Sequence, residues 1–295
     1  MFYHSINGQF VAGENSCAEP GIGPGDRGLA YGHGLFESIC YQRGQLPLKQ
    51  HHIQRLCTDS RVLGIALDPS LIQAYLGDFL AELAAAGVDQ GVVKVLVTAG
   101  RGGRGYQAPA ALSPLVICQY SEFNAQQAQQ QRRQGIKLWR CNYRLPLNPP
   151  LAGIKHLNRL DQIMARSEWT STEYADGLML AADGSVIEAT AANLFARTED
   201  GWVTPSVGSA GVAGIMRDLL INQIFPATAT ALAVSPLSAV QLDQASEIFI
   251  CNSLRGIVPV IQIGESDSAA VVSKAIGEHT KMLQSTLAQQ YSCYL

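Results

Sequence analysis

Two-residue turn signals sit between apolar runs in both halves of the chain, and they limit what it can fold into. Asn7-Gly8 separates "MFYHSI" from "QFV", and Asp183-Gly184 separates "GLMLAA" from "SVIEATAANLFAR". Asn-Gly and Asp-Gly accept the positive φ of a tight turn, so each predicts an antiparallel hairpin. A further hairpin is predicted to turn near Arg43-Gly44 in "LFESICYQRGQLPL". The runs "GVVKVLVTAG", "PLVICQY" and "IKLWRCNYRL" have strand length and are rich in β-branched residues. "ASEIFICNSLRGIVPVIQIG" reads as two buried strands split by a polar kink.

Helices are predicted over residues 49–64, where Ile53, Leu56, Val62 and Leu63 recur at helical spacing, and over 70–86, after Asp68-Pro69 and before Gly87. Residues 156–173 and 268–290 also read as helices, and "GIMRDLLINQIF" as a short one. Hairpins in both halves without regular βαβ alternation give an α+β fold rather than a doubly wound sheet. The segment "NAQQAQQQRRQG" has almost no apolar content. It divides the chain into an expected N-terminal α+β domain, 1–123, a polar interdomain connection, 124–134, and a C-terminal α+β domain, 135–295.

Composition closes off several function classes. With 47% apolar and 15% charged residues in 295, the chain has enough material for a sizeable core. A net charge of −3 gives no electrostatic case for nucleic acid, and Arg132-Arg133 and Arg101…Arg104 are too short to change that. No apolar run approaches the ~20 residues of a bilayer span, and no signal peptide is expected at "MFYHSINGQF". The seven cysteines, Cys17, Cys40, Cys57, Cys118, Cys141, Cys251 and Cys293, are scattered and contain no CxxC. They predict neither a disulfide framework nor a metal site, and a reducing cytoplasm is the expected compartment.

Chemistry concentrates in a few places. "GPGDRG", Gly23–Gly28, matches GxGxxG, but it stands in a Pro- and Gly-rich stretch, with no helical pattern after it. It reads as a turn, not a dinucleotide loop. Lys155, one of six lysines, follows the apolar stretch Leu151, Ala152, Gly153, Ile154. Apolar surroundings penalise the ammonium and favour a neutral amine, which can form an imine or act as a base. A snorkelling or salt-bridged lysine is the other reading of the same segment. "GVAGIMR" is a glycine-rich turn feeding a helix start suited to phosphate. Arg55 in "HHIQRL" can fork onto phosphate oxygens. Asn252 and Ser253 end an apolar strand, and Glu188 follows another, where a carboxylate can pair with a ring nitrogen. Each feature alone is compatible with a structural role. Together they are the parts of a pyridoxal phosphate site.

On these segments, with "DRGLAYGHGLFES", "GGRGY" and "NPPLAGIKHLNRLDQ", the chain resembles the fold-type IV pyridoxal phosphate enzymes, the branched-chain and D-amino acid aminotransferase group. The resemblance covers nearly the whole chain and implies a two-domain fold like that of the D-amino acid aminotransferases. It implies Lys155 as Schiff-base lysine and proton shuttle, carried by the C-terminal domain, and Glu188 as partner of the pyridine nitrogen. It gives the phosphate to Arg55 and the main-chain N–H groups of Ile215 and Met216, helped by Asn252 and Ser253. Tyr31 would line the cofactor site. Arg104 and Tyr106 would lie on a loop that approaches a small-molecule substrate, and Ser38 would assist proton transfer. Glu37, in "FES", does not separate the branches of the group. Leu160 stands where aminotransferases of the group often carry a tyrosine, which with "GGRGY" favours the group's lyase branch over a D-amino acid, branched-chain or amine transaminase. A non-catalytic binding protein of this fold would be expected to lack the lysine or the phosphate cradle. The resemblance also implies a cytoplasmic homodimer.

Overall fold

The computed structural model describes residues 3–12, 21–264 and 272–295. Cys17, Pro20 and the first residues of the expected C-terminal helix, 268–271, lie outside the described residues. The chain divides into two units, 1–124 with 155–158, and 125–154 with 159–295.

The first unit is a five-stranded sheet with helices packed on it. Strands β1 (Tyr3–Ile6) and β2 (Gln9–Ala12) form a hairpin through Asn7 (φ 47°) and Gly8 (φ 81°), as the turn signal requires. Strands β3 (Gly34–Gln42), β4 (Gln90–Thr98) and β5 (Leu115–Ser121) complete the order β2-β1-β5-β4-β3. Helices α1 (Arg27–Tyr31), α2 (Lys49–Val62) and α3 (Pro69–Ala85) follow in the same unit. Asp68 caps α3, and Pro69 opens it. Along β3, Leu35, Glu37, Ile39 and Tyr41 are buried and alternate with half-buried Phe36, Ser38 and Cys40, the period-two pattern of a strand with a core face.

Two expectations need correction here. The turn at Arg43-Gly44 exists, but no second strand follows it: a single bridge, Gln42 to Gln45, gives way to α2. β3 pairs instead with β4, from Gly34 opposite Thr98 to Gln42 opposite Gln90. The "GPGDRG" turn does lead into a helix, the five-residue α1, because the Asp26 side chain accepts the Leu29 N–H at 3.0 Å and caps it.

The second unit opens with a helix, not a connection. α4 (Ala125–Gln134) is built from good helix formers and buries Ala128. Strands β6 (Ile136–Leu145), β7 (Tyr174–Ala181), β8 (Ser185–Ala189), β9 (Ala192–Thr198) and β10 (Gly201–Thr204) come next, with α5 (Leu160–Arg166) between β6 and β7. The helical run from Gly214 comprises α6 (Ile215–Leu219), a π turn (Leu220–Ile224) and α7 (Phe225–Ala227). Then follow β11 (Leu232–Val234), β12 (Leu237–Ser238), α8 (Ala239–Gln244), β13 (Glu247–Asn252), β14 (Gly256–Gly264), β15 (Val272–Ser273) and α9 (Glu278–Gln290).

Among the described residues, strands run in the order β9-β13-β14-β6-β7-β8, and β8 pairs back onto β9, so the sheet closes into a barrel-like ring. β6 is parallel to both β7 and β14, while the other pairs of the ring are antiparallel. Neighbouring residues on these strands fall into two apolar clusters. Leu138, Leu178 and Val186 join one with Leu194, Ile250 and Val258, while Trp139, Met179 and Ile187 join another with Trp169. Both faces are covered, so these strands read as continuous apolar runs rather than alternating ones.

The connection from β6 to β7 contains Lys155. The helix expected over 156–173 shrinks to α5, Leu160–Arg166. The lost turn is extended: Phe36 N donates to Lys155 O at 3.1 Å, and Leu157 N to Gly34 O at 2.9 Å. Residues 155–158 therefore belong with β3 in the first unit, and the lysine is not carried by the C-terminal unit as the sequence suggested.

Candidate active site

Lys155 is fixed by its main chain. Its carbonyl accepts from Phe36, its N–H donates to Asp59 Oδ2 at 3.2 Å, and its neighbour His156 bridges to Leu35. The side chain is half-buried, with Nζ 4.1 Å from the centroid of the Phe36 ring. Phe36 and Ser38 share a face of β3, and Lys94, opposite Ser38, brings a second ammonium to 5.1 Å from the same ring. Burial pushes the Asp59 carboxyl up, offset in part by the Lys155 N–H and Arg55. Gly32 (φ 65°) permits the close approach of Asn158, whose Nδ2 donates to Gly32 O at 3.2 Å; a Cβ there would overlap the Asn158 amide.

Arg55 lies on α2 with its fork already engaged. Nε donates to Glu37 Oε1 at 2.8 Å and Nη2 to Oε2 at 2.6 Å. His52 Nδ1 meets Glu37 Oε2 at 2.7 Å, so the imidazole carries its proton there. Burial alone would raise the Glu37 pKa, but Arg55 and His52 outweigh it and hold the carboxyl at about 2. Burial lowers the His52 pKa despite Glu37, and its buried Nε2 has no hydrogen-bond partner among the described residues. A neutral imidazole and an ionised carboxylate thus aim one guanidinium. The sequence reading passed over Glu37 and His52 as working residues. The sequence held only part of the signal, a lone acid among the apolar residues of β3; that it meets His52 and Arg55 on α2 is decided by packing, 15 and 18 positions away.

Tyr31 ends α1, and its ring lies 5.6 Å from that of Tyr106. Arg104 and Tyr106 are exposed on the loop after β4. Tyr31 and this loop meet, because the Tyr31 hydroxyl accepts the Gly105 N–H at 3.2 Å.

In the second unit, Glu188 is 4% exposed on β8. Its Oε2 accepts Val212 N at 2.9 Å and Asn193 Nδ2 at 3.4 Å. Asn193, opposite Glu188 on β9, also donates to Val212 O at 2.8 Å. The glycine-rich turn is pressed onto this pair. A Cβ on Gly211 (φ 84°) would lie 2.6 Å from Ile187 Cγ2, and one on Gly214 would overlap Asn193 Oδ1. Gly214 caps α6 without a side-chain hydrogen bond, so the N–H groups of Ile215 and Met216 have no partner within the helix. Arg217, next in the sequence, is buried and donates to Pro205 O at 3.0 Å. Burial lowers the pKa of Arg217 and of Arg159, with Glu188 opposing in both. Neither arginine stood out in the sequence.

Asn252 works on its own turn. Oδ1 accepts Leu254 N at 3.1 Å and Arg255 N at 2.8 Å, while Nδ2 donates to Ala191 O at 3.0 Å. Its side chain shapes the loop around Ser253, whose carbonyl accepts from the Tyr294 hydroxyl at 2.8 Å. Direct phosphate binding by the Asn252 side chain does not agree with this use of its polar atoms. Among the described residues no cluster of His, Cys, Asp or Glu suits a metal ion, and no helix is long and apolar enough to cross a membrane.

The first unit supplies a half-buried amine, a group type that can take an aldehyde; the second supplies, by itself, a buried carboxylate and a helix start closely approached at Gly211 and Gly214, group types that suit the ring nitrogen and phosphate of pyridoxal phosphate. Comparison with known proteins agrees. The family described as amino-transferase class IV matches residues 34–263. The chain is 32% identical over 275 residues to the aminodeoxychorismate lyase of Vibrio harveyi, covering 92% of this chain and 98% of that one. It is 27% identical to a D-alanine aminotransferase of Bacillus licheniformis over 89% of each chain. Among solved structures, the 4-amino-4-deoxychorismate lyase of Pseudomonas aeruginosa superposes with a TM-score of 0.83 at 37% identity, over 98% of this chain and 99% of that one.

Proposed function

We propose that this chain, which belongs to the amino-transferase class IV family, is a pyridoxal phosphate-dependent lyase that converts 4-amino-4-deoxychorismate to 4-aminobenzoate and pyruvate. The observation that carries the reading is the seat of Lys155: a main chain pinned to β3 and Asp59, with the amine over an aromatic ring. Whole-length likeness to two lyases, with Leu160 in place of a tyrosine, supports the lyase branch.

Each residue then has a task. Lys155 carries the cofactor and removes the proton from C4 of the substrate. Glu188 keeps a proton on the ring nitrogen. Arg55 and the N–H groups of Ile215 and Met216 take the phosphate, Ser253 assists, and Asn252 holds the turn that presents it. Tyr31 lines the cofactor. The cofactor, when bound, supplies a sink for the electrons left at C4. Ser38 or Lys155 returns a proton as the enolpyruvyl C–O bond breaks; the ring becomes aromatic, and enolpyruvate leaves to become pyruvate. Arg104, beside Tyr106, takes a substrate carboxylate through its planar fork. Aromatisation drives the reaction, so the protein's work is orientation and proton movement. The working form is a cytoplasmic homodimer, which light scattering of the purified protein checks as twice the chain mass.

The experiment supplies enzymatically made 4-amino-4-deoxychorismate without any keto acid. Equal amounts of 4-aminobenzoate and pyruvate are expected. Release of neither, with amino transfer from D-alanine or a branched-chain amino acid to a keto acid, would make the protein an aminotransferase.

A further inference from the structure

The loop that carries Arg104 and Tyr106 has almost no packing of its own. From Arg101 to Ala111 every residue except Gly102 is exposed, Tyr106 at 89%. One buried side chain reaches it. Arg27, 4% exposed on α1, donates Nη1 to Gly105 O at 3.2 Å and Nη2 to Tyr106 O at 2.9 Å. The guanidinium therefore grips two successive carbonyls with its fork. Its third nitrogen, Nε, donates to His33 Nδ1 at 3.1 Å. That fixes the His33 proton on Nε2, which donates to Leu63 O at 2.8 Å. The Tyr31 ring covers Arg27 Cζ at 5.0 Å, and Gly102 lies so close to the arginine stem that a Cβ there would run into Cδ.

Arg27 has no carboxylate partner among the described residues. Neighbouring Asp26 is committed elsewhere, accepting from Leu29 N at 3.0 Å and Thr98 Oγ1 at 2.6 Å. The Arg27 guanidinium meets two carbonyls, a ring nitrogen and an aromatic face, so its fork is spent on the loop backbone. Arg101 and Arg104 lie on the same loop, and Arg101 bridges to Asp26 through its main chain.

We infer that Arg27 is a positioning residue for substrate recognition: its two-carbonyl grip sets the Gly105–Tyr106 backbone and so places Arg104 for a carboxylate of the substrate. The inference rests on the reading of Arg104 given above.

The test joins steady-state kinetics to hydrogen exchange on the cofactor-loaded enzyme. Arg27→Met is expected to raise KM about ten- to hundredfold, to change kcat less, and to leave the cofactor's visible absorbance and affinity unaltered. Amide exchange at 103–106 is expected to quicken. Arg27→Lys, which keeps a cation on the stem but has no fork, is expected to lie between. Because Arg27 acts through the loop, the double variant Arg27→Met/Arg104→Ala should have a KM no higher than Arg104→Ala alone. Unchanged exchange at 103–106 in both Arg27 variants overturns the inference, as does a KM rise in the double variant that multiplies the single effects. An Arg104→Ala enzyme with unchanged KM overturns the assignment of Arg104 instead, and the exchange result then decides on the grip independently.

Discussion

Arg55 and Arg104 are both read as anion holders, yet they sit in opposite surroundings. The Arg55 side chain is 13% exposed, on a fourteen-residue helix, and Glu37 clamps its fork through two oxygens. Arg104 is exposed on a loop, with no ion pair among the described residues, and the grip of Arg27 on the next two carbonyls sets its backbone. One arginine is oriented directly by a buried acid, the other indirectly through main chain. The difference matches two kinds of anion. A cofactor phosphate stays bound through many turnovers and gains from a guanidinium that has no freedom left to lose. A substrate carboxylate arrives and leaves each cycle and needs a cation that can be approached from solvent.

Arg55→Ala breaks the comparison most severely. It leaves the Glu37 carboxylate buried with only His52, and removing one member of a buried pair costs about 3–5 kcal/mol. Urea unfolding should report that loss, and cofactor affinity should fall about ten- to hundredfold. Retention of both would mean that Arg55 is neither clamped nor used.

Arg104→Ala should do the opposite. Stability should stay within about 0.5 kcal/mol, as for an exposed side chain, while KM for the dicarboxylate rises about tenfold or more. Equal stability losses in the two variants would erase the distinction.

The smallest effect sharpens the buried side. The His52 pKa is lowered from 6.5 on folding, so below pH 6.5 the unfolded chain binds a proton that the folded one refuses, and stability falls with pH. Glu37 acts in the same direction lower down: its folded pKa of about 2 lies under its ordinary 4.5, so its contribution is complete above pH 4.5 and is lost as pH falls towards 2. Thermal midpoints measured from pH 7 to 4 should decline, and His52→Gln should flatten the upper part of that decline. A His52→Gln profile parallel to the wild type would place the titrating group elsewhere.

The sequence was most informative where one local rule decided the structure. Asn7-Gly8 and Asp183-Gly184 each demanded a tight turn, and each has one. Arg43-Gly44 met the same rule, but the rule fixes only the turn: the partner of β3 comes from Gln90–Thr98, far along the chain. Residues 125–134 looked like a connection because nothing apolar repeats there, whereas helix propensity and one buried alanine suffice for α4. Residues 155–158 looked helical, and long-range pairing with β3 overrode that pattern. The same division runs through the site. Lys155, Arg55 and Glu188 could be read as residue types in suggestive company. Glu37, His52 and Arg27 act through partners from 6 to 79 positions away, and no local spacing announces such contacts.

Lys155 offers the most direct measurement. Wild type and Lys155→Ala, each incubated with pyridoxal phosphate, would be compared for the visible absorbance of bound cofactor and for products from 4-amino-4-deoxychorismate without a keto acid. The wild type should be yellow and release 4-aminobenzoate and pyruvate in equal amounts, and the variant should lose both the band and the turnover. A Lys155→Ala protein that keeps the band and forms both products at the wild-type rate would contradict the assignment of Lys155, and with it the proposed chemistry.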